Sequence, residues 1–313
     1  MLIAADIGGT TSRFALADDQ GRVMAEHHYP SAEAAGLLPL LERFLADTGT
    51  DAHGVAALVL ALAGPLDDDC VDLTNLPWRV CRQELQAFFP NARVALINDF
   101  QAAALGALAA GEEHLLPLRA TPRERGRRLA LGPGTGLGVA YLHPAHGHWR
   151  AWPTEAGHIA FAPETEQEWA LARHLIERHG RASWERILSG PGLAALHAWL
   201  AGRENPLPPP EVMAAAAAGE ATAKEAMRLF ARLLGRFAGD MALAWQPAGG
   251  VYLLGGVATH GARWLQTPAF LEAFDAKGRL GSLVARYPVH IVMTPRAGLL
   301  GAVRHALQMQ VRS

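Results

Sequence analysis

Two short glycine–threonine turns are the segments of this sequence best suited to hold a charged group. The first, Gly8-Gly9-Thr10, follows the apolar run Leu2–Ile7, and the second, Gly134-Thr135-Gly136, follows Leu129–Leu131. Glycine admits positive φ and leaves its backbone N–H groups open to a bulky anion, and the threonine hydroxyl adds a donor. Two such turns in one chain predict a polyphosphate that is held from both sides.

The residues after each turn predict a returning strand. Arg13–Ala17 and Val139–Leu142 are β-branched, aromatic or alternating, which is typical of a hairpin. The dinucleotide-binding fingerprint and the P-loop instead need a helix directly after the glycines, and the P-loop also needs Gly-Lys-Ser/Thr. One such turn alone would favour an ordinary hairpin. The repeated strand–turn–strand pattern favours a binding role and hints that one unit was duplicated.

Asp99 is the candidate general base. It follows the predicted buried strand Val94–Ile97 and precedes the predicted helix Gln101–Leu108. A carboxylate at the end of a strand that opens onto a cleft suits the orientation and deprotonation of a hydroxyl. Asp99 or Asn98 also suits the N-cap of the helix, and the spacing leaves these roles open.

Several polar residues can read ligand hydroxyl groups. The amide of Asn98 offers a donor and an acceptor, and Asn75 does the same, with an Asx turn as its alternative. Glu155 and His158 lie three residues apart, so a turn must bring them together. Carboxylates accept two vicinal hydroxyls, which suits Glu155 and Glu185, although Glu185 alone would be read as a solvated helix charge. A Glu-x-x-His pair also serves di-iron helices, but the repeat of the pair that this needs is not found.

Composition bounds the class of protein. The chain has 313 residues, half of them hydrophobic, and a net charge of -2. These values predict two domains and argue against a dedicated nucleic-acid or membrane binder. No apolar run is long enough to span a bilayer, and the start does not resemble a signal peptide, so a cytoplasmic protein is expected. Cys70 and Cys81 have no metal-ligand spacing and are expected to be reduced thiols.

Strands alternate with helices in two successive sets, which predicts an α/β fold of two domains with ligands in the cleft between them. Further strands are predicted at Val55–Ala61, Ile159–Phe161, Val251–Leu254 and Val289–Met293. Further helices are predicted at Ala34–Leu45, Glu168–Arg178, Ser183–Leu188, Leu193–Leu200, Glu211–Trp245 and Gly298–Gln310.

Taken together, these motifs resemble the bacterial glucokinase family, within the hexokinase/actin-like ATPase superfamily, over nearly the whole chain and in order. The segments that carry the resemblance are Asp6–Thr10, Leu73–Trp78, Ile97–Phe100, Gly132–Gly138, Glu155–His158, Glu185–Leu193 and Gly255–Val257. The chain lacks the clustered cysteines of the related zinc-containing repressor/open-reading-frame/kinase group, which places it with the zinc-free glucokinases. Thr11 stands where the family usually has asparagine, and Ala156 stands where it usually has glycine.

The resemblance implies an ATP-dependent glucose 6-phosphotransferase with Asp99 as the base. It implies two actin-like, ribonuclease H-like α/β domains, a small one at 1–100 plus 298–313 and a large one at 101–297, in a homodimer. The implied glucose ligands are Asn75, Asn98, Asp99, Glu155, His158 and Glu185. The implied ATP-binding residues are Asp6, Gly8, Gly9, Thr10, Gly134, Thr135, Gly136, Gly255 and Gly256. Asp6 is expected to face Mg²⁺ through water, because Mg²⁺ keeps much of its hydration shell.

Two other functions remain open at this point. One is a kinase for another hexose, such as glucosamine, mannose or fructose, which Ala156 beside the implied sugar ligands keeps possible. The other is a non-catalytic, sugar-responsive regulator. The retained Asp99 and both glycine turns argue against that second reading.

Overall fold

The structure, a computed structural model, describes residues 1–64, 66, 69–122, 125–145 and 147–310. It divides into two compact units. The first unit contains Met1–Glu112, Ala145–Ala151 and the C-terminal residues from Thr294, and the second contains Glu113–Pro144 and Trp152–Met293. Both units combine strands with helices, which confirms the predicted α/β class.

The strands are β1 (Leu2–Ile7), β2 (Thr11–Ala17), β3 (Val23–Pro30), β4 (Ala57–Leu62), β5 (Cys70–Asp72), β6 (Arg79–Cys81), β7 (Arg93–Asn98), β8 (Leu115–Arg119), β9 (Arg128–Pro133), β10 (Leu137–Ala145), β11 (His148–Thr154), β12 (Val251–Leu253) and β13 (Val289–Val292). The α-helices are α1 (Leu37–Thr48), α2 (Arg82–Phe88), α3 (Asp99–Ala107), α4 (Glu166–His179), α5 (Gly190–Leu200), α6 (Pro209–Ala218), α7 (Ala221–Trp245), α8 (Gly256–His260), α9 (Ala262–Leu265), α10 (Pro268–Asp275), α11 (Gly281–Val284) and α12 (Ala297–Gln310). None of the described helices has the length and apolar content that crossing a membrane requires.

The sheet of the first unit has the order β3-β2-β1-β4-β7. β1 pairs antiparallel with β2 and parallel with β4, so the predicted hairpin at the first glycine turn is confirmed. One face of the sheet carries large side chains such as Phe14, which pack in a core with Phe44 of α1. The other face carries small ones such as Ala4 and Ala57, which pack against α3 and α12. Small side chains on that face allow these two helices to lie close to the sheet.

Helices α3 and α12 also approach each other more closely than side chains would allow. A Cβ atom on Gly106 would lie 1.8 Å from the carbonyl oxygen of Ala297, and one on Gly301 would lie 1.7 Å from that of Ala102. Both glycines are therefore required by the contact itself. The contact fixes the position of α3, which begins at Asp99.

The second unit repeats the strand arrangement of the first. Its sheet has the order β11-β10-β9-β12-β13-β8. β9 pairs antiparallel with β10 and parallel with β12, as β1 does with β2 and β4. The second glycine turn joins β9 to β10, so the second predicted hairpin is also confirmed, and the shared pairing pattern is consistent with duplication of one unit.

Three predicted elements of the second unit are wrong. Ser183–Leu188 forms turns rather than a helix, and Ile159–Phe161 forms only an isolated bridge, between Ala160 and Ser183. Backbone hydrogen bonds between these two segments, such as Phe161 N–H to Ala182 O at 3.1 Å, replace the local pairing of a helix. The helix predicted over Glu211–Trp245 is divided between α6 and α7, because Gly219 has φ 101° and ends the first part.

The expectation that the cysteines are reduced thiols is wrong in this structure. Cys70 and Cys81 form a disulfide with Cα atoms 4.0 Å apart. They face each other in the antiparallel register of β5 and β6, and this pairing brings together two residues that are 11 positions apart in the chain. Their spacing alone does not reveal the hairpin, which encloses the Leu73–Trp78 segment.

We expect Gly301→Ala to destabilise the first unit. Alanine improves the helix propensity of such a site by about 1 kcal/mol. Its methyl group, however, would lie 1.7 Å from a backbone oxygen of α3, and overpacking of this kind costs about 1–3 kcal/mol or more. Calorimetry should therefore show a lower Tm than that of wild type. The control is Gly54→Ala, because an added Cβ there has no neighbour within 4 Å; an unchanged Tm for Gly301→Ala would contradict the close contact.

Candidate active site

Two buried serines, Ser12 and Ser31, stabilise the first glycine turn through hydrogen bonds. The hydroxyl groups of Ser12 and Ser31 are 2.9 Å apart, and Ser31 Oγ donates to the carbonyl oxygen of Gly8 at 2.6 Å. The backbone N–H of Ser31 donates to the carbonyl of Thr10 at 3.0 Å. These bonds fix the carbonyl groups of the turn, while Thr10 itself is exposed. The serines could not be predicted from local sequence, because they are 19 residues apart and meet only through the β2–β3 pairing.

Asn98 and Asp99 lie where β7 passes into α3. Asn98 Oδ1 accepts hydrogen bonds from the N–H groups of Phe100 and Gln101, each at 3.0 Å, so Asn98 is the N-cap. Asp99 is the first residue of the helix, and its Oδ1 accepts the Phe100 N–H at 2.7 Å. Asn98 therefore caps the helix. The second carboxylate oxygen of Asp99, Oδ2, takes no part in the hydrogen bond with the Phe100 N–H.

Burial destabilises the charged forms of two carboxylates of the first unit. Burial raises the pKa of Asp6, and the guanidinium of Arg13, 3.6 Å away, only partly offsets this. Burial also raises the pKa of Asp99, the Phe100 N–H bond opposes the increase, and the negative charge of Asp6 adds to it. Two interacting carboxylates in a largely buried environment favour the binding of a cation.

Close packing positions two further residues in the first unit. A Cβ atom on Gly298, the second residue of α12, would lie 2.5 Å from Asp6 Oδ2, so this glycine leaves the space that the carboxylate occupies. A Cβ atom on Gly9 would lie 3.1 Å from Asn75 Cβ, which shows that Asn75 is beside the first glycine turn. Gly298 was not among the predicted site residues, although the spacing of Gly298 and Gly301 in the sequence is a signal of close helix packing.

The second glycine turn is tied to α5 and to Glu185. The Gly134 N–H donates to the carbonyl of Gly136 at 2.8 Å, and the Gly190 N–H at the start of α5 donates to the carbonyl of Gly134 at 2.7 Å. Glu185 Oε2 accepts the N–H of Leu137 at 2.9 Å. Thr135, at the tip, is exposed. The N–H groups of Gly134 and Leu137 are thus engaged within the protein, and the predicted role of Thr135 and its neighbours in anion binding stays a prediction.

Glu155, His158 and Glu185 come together in the second unit. His158 Nε2 lies 3.6 Å from Glu155 Oε2 and 3.7 Å from Glu185 Oε1. The N–H of Glu185 donates to the carbonyl of Gly157 at 2.9 Å, so the segment mistaken for a helix is what brings Glu185 to this turn. The trio offers two carboxylates and an imidazole to a polyhydroxylated ligand.

Ala156 fits this turn without backbone strain. Among the described non-glycine residues, only Gln246 has a positive φ, so Ala156 does not need the left-handed conformation that favours glycine. Its side chain is buried in the core of the second unit. The hydrogen bond from His158 N–H to the Glu155 carbonyl, at 3.0 Å, closes the turn around it.

Gly255 is required by its backbone conformation. Its φ is 89°, and a Cβ atom would lie 2.6 Å from the carbonyl oxygen of Pro133, at the end of β9. Gly256 then begins α8. The pair therefore brings the β12–α8 turn next to the strand that leads into the second glycine turn.

A buried ion pair packs beside the segment that carries Glu185. Arg236 bonds Glu168 at 2.8 Å, and Glu168 is fully buried. The guanidinium of Arg236 lies 5.5 Å from the ring centroid of Trp184 and 5.7 Å from that of Phe161. Trp184 precedes Glu185 in the chain, so this cluster, which the sequence analysis missed, holds the segment that carries Glu185.

The predicted residues thus form two groups, one in each unit. The first unit contains Asp6, Gly8, Gly9, Thr10, Asn75, Asn98 and Asp99. The second unit contains Gly134, Thr135, Gly136, Glu155, His158, Glu185, Gly255 and Gly256. Within the described residues, no three histidine, cysteine, aspartate or glutamate side chains form a metal-binding group.

Comparison with known proteins gives matches over almost the whole chain. The family model described as "Glucokinase" matches residues 3–309. A glucokinase of Chromohalobacter salexigens is 40% identical over 310 residues, which are 95% of this chain and 94% of that protein. A glucokinase of Mesorhizobium japonicum is 36% identical and covers 97% of this chain and 91% of its own length.

Solved structures give the same fold. The glucokinase of an Antarctic psychrotroph is 29% identical, with a TM-score of 0.87 and coverage of 98% of both chains. A glucokinase of Balamuthia mandrillaris, solved in complex with glucose, is 24% identical, with a TM-score of 0.78 and coverage of 98% of this chain and 93% of its own. The second likeness concerns the fold alone.

We expect Arg236→Met to destabilise the second unit strongly. The substitution leaves Glu168 buried with Arg232, 2.8 Å away, as its remaining ionic partner. Removal of one member of a buried pair typically costs about 3–5 kcal/mol. The double variant Glu168→Met/Arg236→Met removes both charges and should lose less stability than Arg236→Met in urea unfolding. A double variant as unstable as the sum of its two single variants would contradict this account.

Proposed function

The chain belongs to the glucokinase family, and from this premise we propose that it transfers the γ-phosphoryl group of ATP to the 6-hydroxyl of glucose with Asp99 as the general base. The activity rests on one observation above all, the match of the family over residues 3–309. Curated relatives named glucokinase, at 35–40% identity over nearly the full chain, support it.

The environment of Asp99 supports its role as the base. A general base works best when its pKa lies near the working pH, and burial together with Asp6 raises the pKa of Asp99 towards that range. The Phe100 N–H bond engages Oδ1 and orients the carboxylate. We assign the other oxygen, Oδ2, to the glucose 6-hydroxyl, whose proton it accepts as the phosphoryl group is transferred.

The remaining polar residues of the two groups would bind the sugar. Glu185 holds Leu137 N–H with Oε2, so Oε1, near His158, is free in our proposal to accept sugar hydroxyls. Glu155 and His158 would complete this recognition in the second unit. In the first unit, Asn98 uses its Oδ1 as the helix cap, which leaves its Nδ2 group to donate to the sugar together with Asn75.

The glycine turns would bind the phosphates of ATP. Their backbone N–H groups, with the hydroxyls of Thr10 and Thr135, are suited to the charge that develops on the transferred group. Gly255 and Gly256 would let the backbone pass close to the adenosine. Phosphoryl transfer needs little covalent help from the protein, so positioning and charge stabilisation are the main tasks of these residues.

The residues around Asp6 fit a magnesium ion. Mg²⁺ is usually bound by one or two carboxylates, several waters and the phosphates of the substrate, so a cluster of three protein ligands is not needed. The raised pKa values of Asp6 and Asp99 indicate two carboxylates that a cation would stabilise, and Gly298 leaves the space that the Asp6 carboxylate occupies. When bound, Mg²⁺ would neutralise charge on the phosphates. Asp6 would orient its water ligands.

A coupled assay with purified protein, ATP and Mg²⁺ tests the reaction. Glucose, mannose, fructose and glucosamine would be compared, and glucose should have the highest kcat/KM. A clear preference for another hexose would overturn the substrate while keeping the chemistry. Turnover on no sugar would overturn the proposal as a whole. The homodimer expected from the family resemblance stays a prediction, which sedimentation equilibrium would measure.

We expect Asp99→Asn to lower kcat by at least about 10²-fold without lowering stability. A carboxyl whose pKa is raised by folding binds protons more tightly in the folded state, so its contribution to stability decreases as the pH rises through that pKa. At pH 7 the neutral amide should therefore be no less stable than the carboxylate. Asp19→Asn, at an exposed position, is the control. Turnover near wild type in Asp99→Asn would contradict its role as the base.

We expect Gly298→Ala to disturb Asp6 and with it the dependence on Mg²⁺. The added methyl group would lie 2.5 Å from Asp6 Oδ2, so the carboxylate must turn away. A misplacement of about 1 Å costs about 10²-fold in rate where positioning dominates. The variant should need more Mg²⁺ for half-maximal rate, as Asp6→Asn should. A wild-type Mg²⁺ titration for both variants would contradict the assignment of Asp6.

A further inference from the structure

A cavity of about 300 Å³ in the second unit opens beside the second glycine turn, and apart from Thr135 and Glu185 its lining residues have no role in the proposed reaction. Its walls are the C-terminal part of α4, one face of α5 and the segment that follows α5. Thr135 lies at its edge. The volume is at the lower limit of the range for small-molecule sites, which is about 300–1,000 Å³.

Positively charged side chains from three separate segments converge on this cavity. Arg178 and His179 come from the last turn of α4, Arg186 from the turn before α5, and Arg203 from the segment after it. A basic residue in the last turn of a helix is usual, because it favours the helix dipole. Arg186 and Arg203 have no such explanation, since neither lies in a helix.

The positive charge of the cavity is not compensated within the described part of the chain. There, Arg178, Arg186 and Arg203 form no ion pair with a carboxylate. Glu185 and Glu204 are the carboxylates in the lining, and Glu185 is engaged by the N–H of Leu137 and lies near His158.

The pKa of His179 is lowered in this environment. Desolvation and then the positive charges of Arg186, Arg178 and His174 lower its pKa. The like charges therefore add to desolvation in opposing the protonation of His179. A bound anion would offset the part that the like charges contribute.

The rest of the lining is apolar. Leu175, Ala195 and Trp199 line the cavity together with Pro191 and Pro206. A bare inorganic anion would gain nothing from these groups, whereas the organic part of a phosphate ester would bury apolar surface against them. Arginine suits the phosphate itself, because its planar guanidinium makes two parallel hydrogen bonds to a phosphate group.

The cavity is structurally connected to the second glycine turn. The N–H of Gly190 donates to the carbonyl of Gly134, and Ser189 Oγ accepts the N–H of Gly192, which lines the cavity. A ligand that moved the start of α5 would therefore act on the turn that we assign to ATP phosphates.

We propose that this cavity is a second binding site, adjoining the proposed sites for glucose and ATP at Glu185 and Thr135, that takes a small organic phosphate ester and modulates the second glycine turn. Arg178 and Arg186 bind the phosphate group, and Trp199 with Ala195 contacts the organic part. A sugar phosphate and a nucleoside monophosphate share this chemistry. The effect of the ligand on the second glycine turn rests on the proposed function, because that turn is assigned to ATP. The binding of the ester in the cavity does not rest on it.

Isothermal titration of the full chain tests the site. Glucose, Mg²⁺ and the ATP analogue AMPPNP are first added to saturation, so that the proposed substrate sites are filled. Glucose 6-phosphate, AMP and inorganic phosphate are then titrated separately. We expect one of the two esters to bind with a stoichiometry near one, and more tightly than inorganic phosphate. The ester that binds shows whether the ligand is a sugar phosphate or a nucleoside monophosphate.

Matched variants separate the cavity from the general charge of the surface. Arg178→Gln/Arg186→Gln removes the phosphate contacts and should raise the Kd of the ester at least about tenfold, because hydrogen bonds to charged groups are among the stronger ones. Arg173→Gln/Arg181→Gln removes the same charge from exposed residues outside the cavity lining and should leave the Kd unchanged. Equal Kd values for the two double variants would overturn the proposal.

Two further outcomes would also overturn it. In the first, neither ester binds to the substrate-loaded protein. In the second, inorganic phosphate binds but neither ester does. If glucose and AMPPNP themselves fail to bind, the proposed function fails instead. Titration of the unloaded protein and its variants with the same esters then still tests the cavity.

Discussion

The contact between α3 and α12 is the constraint on which the chemistry of the first unit depends. Two glycines let the backbones meet where any side chain would keep them apart. Helix α3 begins with Asp99, and α12 presents Gly298 to Asp6, so the same pair of helices determines the surroundings of both carboxylates. The alanine-lined face of the sheet allows both helices to pack against it. The electrostatic coupling of Asp6 to Asp99 follows from this arrangement.

Local patterns in the sequence were sufficient for the parts of the fold that local forces determine. The two glycine turns and their returning strands follow from residue type and alternation, and both hairpins are present. The transition from strand to helix at Asn98 and Asp99 was also predictable, because the N-cap preference acts over only three residues. The chemistry assigned to these residues, in contrast, came largely from resemblance to a family.

Long-range pairing explains what the sequence did not predict. Ser183–Leu188 has helix-compatible residues, yet its backbone groups pair with the Ile159–Phe161 segment, and such tertiary contacts override helix propensity. The disulfide depends on the register of β5 with β6, and the Arg236–Glu168 pair joins α7 to α4 across 68 positions. No periodicity within one segment encodes these contacts. Ala156 departs from the family pattern, but the structure accommodates it, because its position needs no unusual backbone conformation.

The position of α12 after the second unit in the chain has a consequence for biosynthesis. The first unit begins at Met1, but its last helix is translated only after residues 113–293. At about 5–20 residues per second, the ribosome needs about ten to forty seconds for that interval. During this time the alanine face of the first sheet has no α12 to cover it. The last strand of the second unit, β13, is translated before α12. The nascent chain therefore completes its second unit before its first, and the surroundings of Asp6 and Asp99 are among the last parts of the enzyme to form.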